Sequence, residues 1–263
     1  MRGCHSLYSS IVDTPYVLLT IAAFIAGLVD SVVGGGGLIQ LPALLVAFPT
    51  APIPLLFGTN KFASVFGTFV ASVRFCRAQP IPLGTVLPAA LAAFVFSFLG
   101  ARSVSLLDPA LLRPLVVVAL IVVLLYTLCK PSAGDIHAPK LSSSSQRIVA
   151  VCIGGVLGFY DGFFGPGTGS FILFAFVALL GFDFVRASGS AKVLNVATNV
   201  AALAFFIPNG YVRYELAVLM AAANVAGSLV GVRLALRNGT RFVRILFIIV
   251  VLALLAKQIH QLS

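Results

Sequence analysis

Charge is what this sequence has least of. Among 263 residues only 9% are charged, while 60% are hydrophobic. A soluble domain carries about a quarter charged residues, so this chain cannot cover a water-facing surface. Apolar residues are too abundant for disorder, and an integral membrane protein remains. Histidine is scarce as well: His5, His137 and His260 lie in the tails and a polar loop. That placement excludes a Ser/His dyad within the membrane and a His-ligated metal site. Cys4, Cys76, Cys129 and Cys152 form no CxxC pair, so neither a disulfide framework nor a metal spacing is indicated. They read as small apolar residues. No enzyme, metal or cofactor is expected. Acids are fewer than bases, 7 against 17, for a net charge of +10. The cations cluster at the ends of apolar runs. They read as topology-setting charge against anionic lipid, with no nucleic-acid partner.

What is present is a unit written twice. At an offset of about 131 positions, Gly27-Leu-Val-Asp30 falls on Gly158-Phe-Tyr-Asp161 and Gly58-Thr-Asn-Lys61 on Gly189-Ser-Ala-Lys192. Gly34 and Gly36 fall on Gly165 and Gly167; Ser97, Gly100 and Arg102 on Ser228, Gly231 and Arg233; Arg113 on Arg244. Glycines and charges are rare choices inside membrane spans, so this matching set reads as a duplication. Residues 1–130 and 147–263 form two transmembrane repeats, joined by the polar linker 131–146 with its prolines and serine run. Tyr16 to Val33 is apolar, but it carries Asp30 and has a later copy, so a retained segment is expected in place of a cleaved signal peptide.

Each repeat holds four apolar stretches: 15–47, 57–78, 82–102 and 109–129, then 147–180, 187–207, 212–236 and 241–258. A spanning helix needs about 20 apolar residues. Three stretches per copy suit one span each. The first is too long and is interrupted by glycines at 34–37 or 165–169, so two helical pieces joined by non-helical backbone are expected, as a re-entrant hairpin or two short spans. The fold expected is an all-α integral membrane protein of about 8–10 membrane segments. An odd number of crossings per copy inverts the repeats. It sorts the cations outside the two buried lysines ten against five, with both termini outside and the linker in the cytoplasm.

Four ionisable residues sit deep in apolar sequence: Asp30, Lys61, Asp161 and Lys192. A charge at the bilayer centre costs at least about 2.5–3.5 kcal/mol, so each needs a partner or a cavity. Gly58-Thr59 and Gly189-Ser190 read as helix starts, with Thr59 and Ser190 as N-caps. Lys61 and Lys192 then fall in first turns, where a cation opposes the helix dipole unless an anion arrives. Two readings stand side by side: structural ion pairs, Asp30 with Lys61 and Asp161 with Lys192, or an anion site. Asp30 and Asp161 could further serve as charge balance or proton carriers.

The glycine stretches match neither GxGxxG nor a Walker spacing. They suit backbone that approaches a ligand closely and offers N–H groups, with Gly35, Gly36, Gly167 and Thr168 as candidates. Gly154 with Gly158, and Gly227 with Gly231, suit helix packing instead. Asn195 and Asn199 share a helix face with Lys192, as Ser64 and Thr68 do with Lys61; a cavity wall and interhelical hydrogen bonding both fit.

At Gly27-Leu-Val-Asp-Ser-Val-Val-Gly-Gly-Gly-Gly-Leu-Ile-Gln-Leu-Pro42, Gly58-Thr-Asn-Lys61 and their copies, the chain resembles the sulfite exporter TauE/SafE family. The resemblance covers about 22–255. It implies a bacterial inner-membrane, multi-pass transporter for a small sulfur-containing anion such as sulfite, sulfoacetate or another organosulfonate. Joined to the residue reading, it gives a secondary transporter with a site at the repeat interface. Lys61 and Lys192 supply charge there, and Thr59, Asn60, Ser190 and the glycine backbone supply donors. Nothing suggests ATP use, so a proton or sodium gradient would drive uphill transport. A passive anion channel and a non-transporting membrane subunit are the alternatives. Pro166, Thr168 and Ala191 stand where the first copy has Gly35, Gly37 and Asn60, so the two half-sites need not contribute equally.

Overall fold

The computed structural model describes residues 2–106, 137–139 and 141–260. The stretch expected at 109–129, with Arg113, Cys129 and linker residues 131–136 and 140, lies outside them. Every regular element among the described residues is helical. Helix α1 (Arg2–Val33) stops at glycines, and α2 (Gly37–Ala47) follows; α3 (Ile53–Ala78) and α4 (Leu83–Arg102) complete the first half. In the second half α5 (Ser143–Phe163) stops at a second glycine break. Next comes α6 (Thr168–Ala175), which runs into a π-helical turn (Phe176–Leu180). Then come α7 (Phe184–Phe206) and α8 (Tyr214–His260). The stretches expected at 212–236 and 241–258 thus join end to end, broken only at Gly239, whose φ of 69° and ψ of −164° are non-helical.

Local chemistry explains the boundaries. The proline-rich run before α3 cannot continue a helix but can begin one: Pro52 is the N-cap and Pro54 falls in the first turn, where its missing N–H costs nothing. Asp183 caps α7 by accepting from the Arg186 N–H at 2.8 Å, and Ser142 caps α5 by accepting from Ser145. The breaks after α1 and α5 rest on backbone that other residues avoid. Gly34, Gly35, Gly165 and Gly167 all have φ between 77° and 92°.

Among the described residues four helices are long and apolar enough to cross a membrane: Tyr16–Val33, Leu83–Arg102, Phe184–Phe206 and Tyr214–Val243. Helix α3, with 26 residues, has the length, but polar side chains dilute it. At 1.5 Å per residue the 11 residues of α2 reach about 16 Å, half the hydrocarbon thickness. The surface between the helix ends is apolar, with Leu91 and Val156 about 70% exposed, while Lys61, Asp161 and Lys192 are buried and most of the arginines at the helix ends are exposed. This is the distribution lipid demands.

Small residues bring the long helices together. Gly154, Gly158 and Gly162 of α5 meet Ala89, Ala93 and Ser97 of α4 in ascending order, so these two helices run in the same direction. Gly227 and Gly231 of α8 likewise meet Phe24 and Leu28 of α1. A Cβ at any of these glycines would strike facing backbone, as helix association through small residues requires. Loops close the two ends. Arg213, just before α8, reaches the Tyr16 hydroxyl at 3.2 Å. Arg147, near the start of α5, donates to the Gly84 carbonyl at 3.1 Å.

Candidate functional site

The two glycine breaks meet at the centre. A Cβ on Gly34 would overlap Gly169 and Ser170, so the loops are in direct backbone contact. The Ser170 hydroxyl ties them by donating to the Val33 carbonyl at 3.0 Å. Beside this contact lies a cavity of about 30 Å³, room for about two waters. Its walls are Asp30, Gly35, Gly37, Asn60, Lys61, Ser64 and Thr68 from the first half. Asp161, Gly165, Gly167, Thr168, Gly169, Asn195 and Asn199 complete it from the second.

Lys61 and Lys192 are 5% and 1% exposed, so both are held away from bulk water. Each is the ninth residue of its helix, counting from Ile53 or Phe184. The expectation that Thr59 and Ser190 begin these helices is therefore overturned; the N-caps are Pro52 and Asp183. Gly58 and Gly189 sit inside helices for close approach, to the Tyr211 carbonyl and to Phe75. The lysines consequently do not oppose the dipoles of their own helices. The electropositive helix ends at the cavity belong to α2 and α6, whose N-caps are Gly36 and Gly167.

The ion pairs are crossed between the halves. The Lys61 ammonium donates to the Asp161 carboxylate, and Lys192 donates to Asp30 Oδ2 at 3.1 Å. The within-copy pairing set out above is corrected by this geometry. Asp30 also accepts from the Gly36 N–H at 3.3 Å, and the Thr68 hydroxyl lies 3.4 Å from it.

The site residues expected from sequence divide into three groups. Lys61, Asn60, Gly35, Gly167, Thr168, Asn195, Asp30 and Asp161 border the cavity. Lys192 and Gly36 stand behind it and act on it through Asp30. Thr59 and Ser190 do not reach it. The Thr59 hydroxyl donates to the Leu55 carbonyl at 2.7 Å and accepts from the Arg213 N–H at 3.0 Å, while the Ser190 hydroxyl is buried without a partner among the described residues. Asn60 Oδ1 and Asn195 Oδ1 are also buried without partners among the described residues, so the cavity walls carry unmet acceptor capacity. The polar stripes that sequence brought into view, Ser64 with Thr68 and Asn195 with Asn199, are cavity wall. A buried amide chain was missed. Asn224 donates to Gln40 Oε1 at 3.2 Å, and Gln40 donates to the Asn60 carbonyl at 3.4 Å. The signal for it was a Gln and an Asn inside otherwise apolar runs. No group of three His, Cys, Asp or Glu side chains able to hold a metal ion occurs among the described residues.

The sequence profile of the family described as Sulfite exporter TauE/SafE matches residues 19–257. The chain belongs to the TauE/SafE family. It is 37% identical to the probable membrane transporter protein ORF9 of a Sinorhizobium species, over 90% of this chain and 89% of that protein. It is 32% identical to a probable membrane transporter protein of Haemophilus influenzae, over 93% and 94%. It is 34% identical to the probable membrane transporter protein YfcA of Escherichia coli K12, over 93% and 89%. No solved structure matches the chain. The TauE/SafE protein is accordingly a membrane protein of a transporter family and not an enzyme.

Proposed function

We propose that this TauE/SafE protein is a secondary transporter of a small sulfur-containing anion (sulfite, sulfoacetate or another organosulfonate) and is a multi-pass protein of a bacterial inner membrane. One observation carries the reading. A buried ammonium, Lys61, opens onto a small polar cavity faced by the N-terminal ends of two half-length helices. Such ends carry partial positive charge and free N–H groups, which suit an anion. Asn60, Asn195 and Thr168 add polar contacts around it. Sites of this kind, built from discontinuous helices near the membrane midplane, are common in secondary transporters. The family's description contributes sulfite.

The two halves are read as inverted repeats meeting at this cavity, with the linker in the cytoplasm. Contacts recurring at the offset of 131 support the reading. Lys61–Asp161 has its counterpart in Lys192–Asp30, and Gly158 against Ala93 has its counterpart in Gly27 against Asn224. Helix directions support inversion. Tyr16 of α1 lies by Arg213 at one end, whereas α5 begins by Gly84 at the end where α3 gives way to α4. Alternating access would come from rocking of one half against the other.

The test is a thermal-shift series on purified protein with sulfite, thiosulfate, sulfoacetate, taurine and simple carboxylates. A sulfur oxyanion at a hundred times its Kd stabilises the wild-type protein by about 2.7 kcal/mol, and Lys61→Met loses that response. Retained wild-type affinity in Lys61→Met would reject the site. Saturable flux in proteoliposomes separates a carrier from a passive channel.

A further inference from the structure

The two lysine–aspartate pairs are not equivalent. Lys61 and Asp161 both border the cavity, whereas Lys192 reaches it only through Asp30. Asp30 receives hydrogen bonds from Lys192 and from the Gly36 N–H, with the Thr68 hydroxyl, whose proton goes to the Ser64 carbonyl at 2.8 Å, beside it. Asp161 receives one among the described residues, from Lys61, and its side chain is 7% exposed. The four charges of the two pairs sum to zero.

An anion entering the cavity meets Lys61, the ammonium that borders it. The anion adds one negative charge to a set that sums to zero, and it competes with Asp161 for an ammonium one of whose three N–H groups serves Asp161. A buried carboxylate that must share its cation with a second anion is relieved by taking up a proton. Asp30 faces no such demand, since Lys192 stays with it. Among the described residues, Asp30 of α1 borders the same cavity with Lys192 of α7 bonded to it, and Tyr160 adjoins Asp161 on its own helix. The Tyr160 hydroxyl is committed to the Pro166 carbonyl at 2.8 Å. Along the contact with α5, α4 brings Ala89, Ala93 and Ser97, none of them charged.

Resting on the anion-site reading of this cavity, we propose that Asp161 is the proton acceptor of the site, so that a monovalent sulfonate and one proton are bound together. The Lys61–Asp161 hydrogen bond breaks and a Lys61–sulfonate hydrogen bond forms. The freed carboxylate takes one proton from water, and nothing is oxidised or reduced. Charge balances: two lysines against Asp30 and the anion, with Asp161 neutral. Electroneutral movement of an anion with a proton follows.

Isothermal titration of the full chain in detergent with methanesulfonate tests this, because that anion carries no proton of its own near neutral pH. Titrations in Tris, imidazole and triethanolamine, whose ionisation heats differ, count protons through the buffer dependence of the heat. Sulfonate buffers are avoided because they would themselves be ligands. The expected result is one proton taken up per anion, with affinity falling about tenfold per pH unit through the linked range. Asp161→Asn binds with no uptake and without that pH dependence. Wild-type binding with no proton uptake overturns the proposal and leaves the anion site standing. Uptake that persists in Asp161→Asn moves the proton elsewhere and also overturns it. Absence of sulfonate binding by the wild-type protein overturns this proposal, and absence of a thermal shift with sulfite and thiosulfate as well overturns the anion site with it. The wild-type proton count stands on its own if the substitution prevents folding.

Discussion

Lys192 and Lys61 are the same residue type at the same depth in their helices, yet their surroundings divide their work. Lys192 is 1% exposed and its ammonium is capped by Asp30, so its loss leaves a carboxylate without its cation. Breaking a buried pair from one side costs about 3–5 kcal/mol. Asp30 keeps the Gly36 N–H and is 18% exposed, so the low end of that range applies. Lys192→Met should therefore lower the melting temperature of the detergent-solubilised protein strongly, and adding Asp30→Asn should recover most of the loss. A Lys192→Met protein as stable as wild type would show that the pair holds nothing together. Lys61→Met is expected to act differently, removing anion binding as its main effect, because Lys61 borders the cavity directly. The sequence could single out all four charges, since each stands alone in an apolar run. It could not pair them. Spacing along one chain says nothing of which half approaches which, and the crossed pairs exist only because α3 lies against the break of α5, and α7 against that of α1.

At the scale of elements, adjacent glycines in α5 offer a controlled comparison. A Cβ at Gly154 would strike the backbone of Ala89, whereas one at Gly155 would rest against the Phe96 ring at 3.5 Å, an ordinary contact. Gly154→Ala must push α4 and α5 apart, and overpacking of this kind costs about 1–3 kcal/mol. Gly155→Ala should be neutral or stabilising by up to about 1 kcal/mol, through helix propensity. Melting curves of the two variants check this, and equal effects would mean that the α4–α5 contact is not tight. The packing role of Gly154, Gly158, Gly227 and Gly231 was readable from their spacing, as were the breaks after α1 and α5, since runs of glycine make poor helix. The starts of α3 and α7 were not. Gly58-Thr59 and Gly189-Ser190 carry local signals of a helix beginning. Burial against Tyr211 and Phe75 gives those glycines another use, and Pro52 and Asp183 begin the helices earlier.

For the whole molecule the decisive property is which end faces the cytoplasm. Residues 207–213 and the Tyr16 end of α1 share one face. Arg147, Gly84 and the start of α5 share the other. Arg74 and Arg77 near the end of α3 lie toward the second face, as does Arg186 at the start of α7. By the positive-inside rule we propose that this face lies in the cytoplasm. Single cysteines at the exposed positions Asn209 and Ser144 read this out, in a background with the four native cysteines replaced by serine. A membrane-impermeant maleimide applied to intact cells should label Asn209→Cys and leave Ser144→Cys unlabelled until the membrane is opened. Labelling of both from outside would place the two loops on one side. Each half would then cross the membrane an even number of times, and inverted repeats would be excluded. Labelling of Ser144→Cys alone would keep the inversion and turn the molecule over, against its own charge distribution.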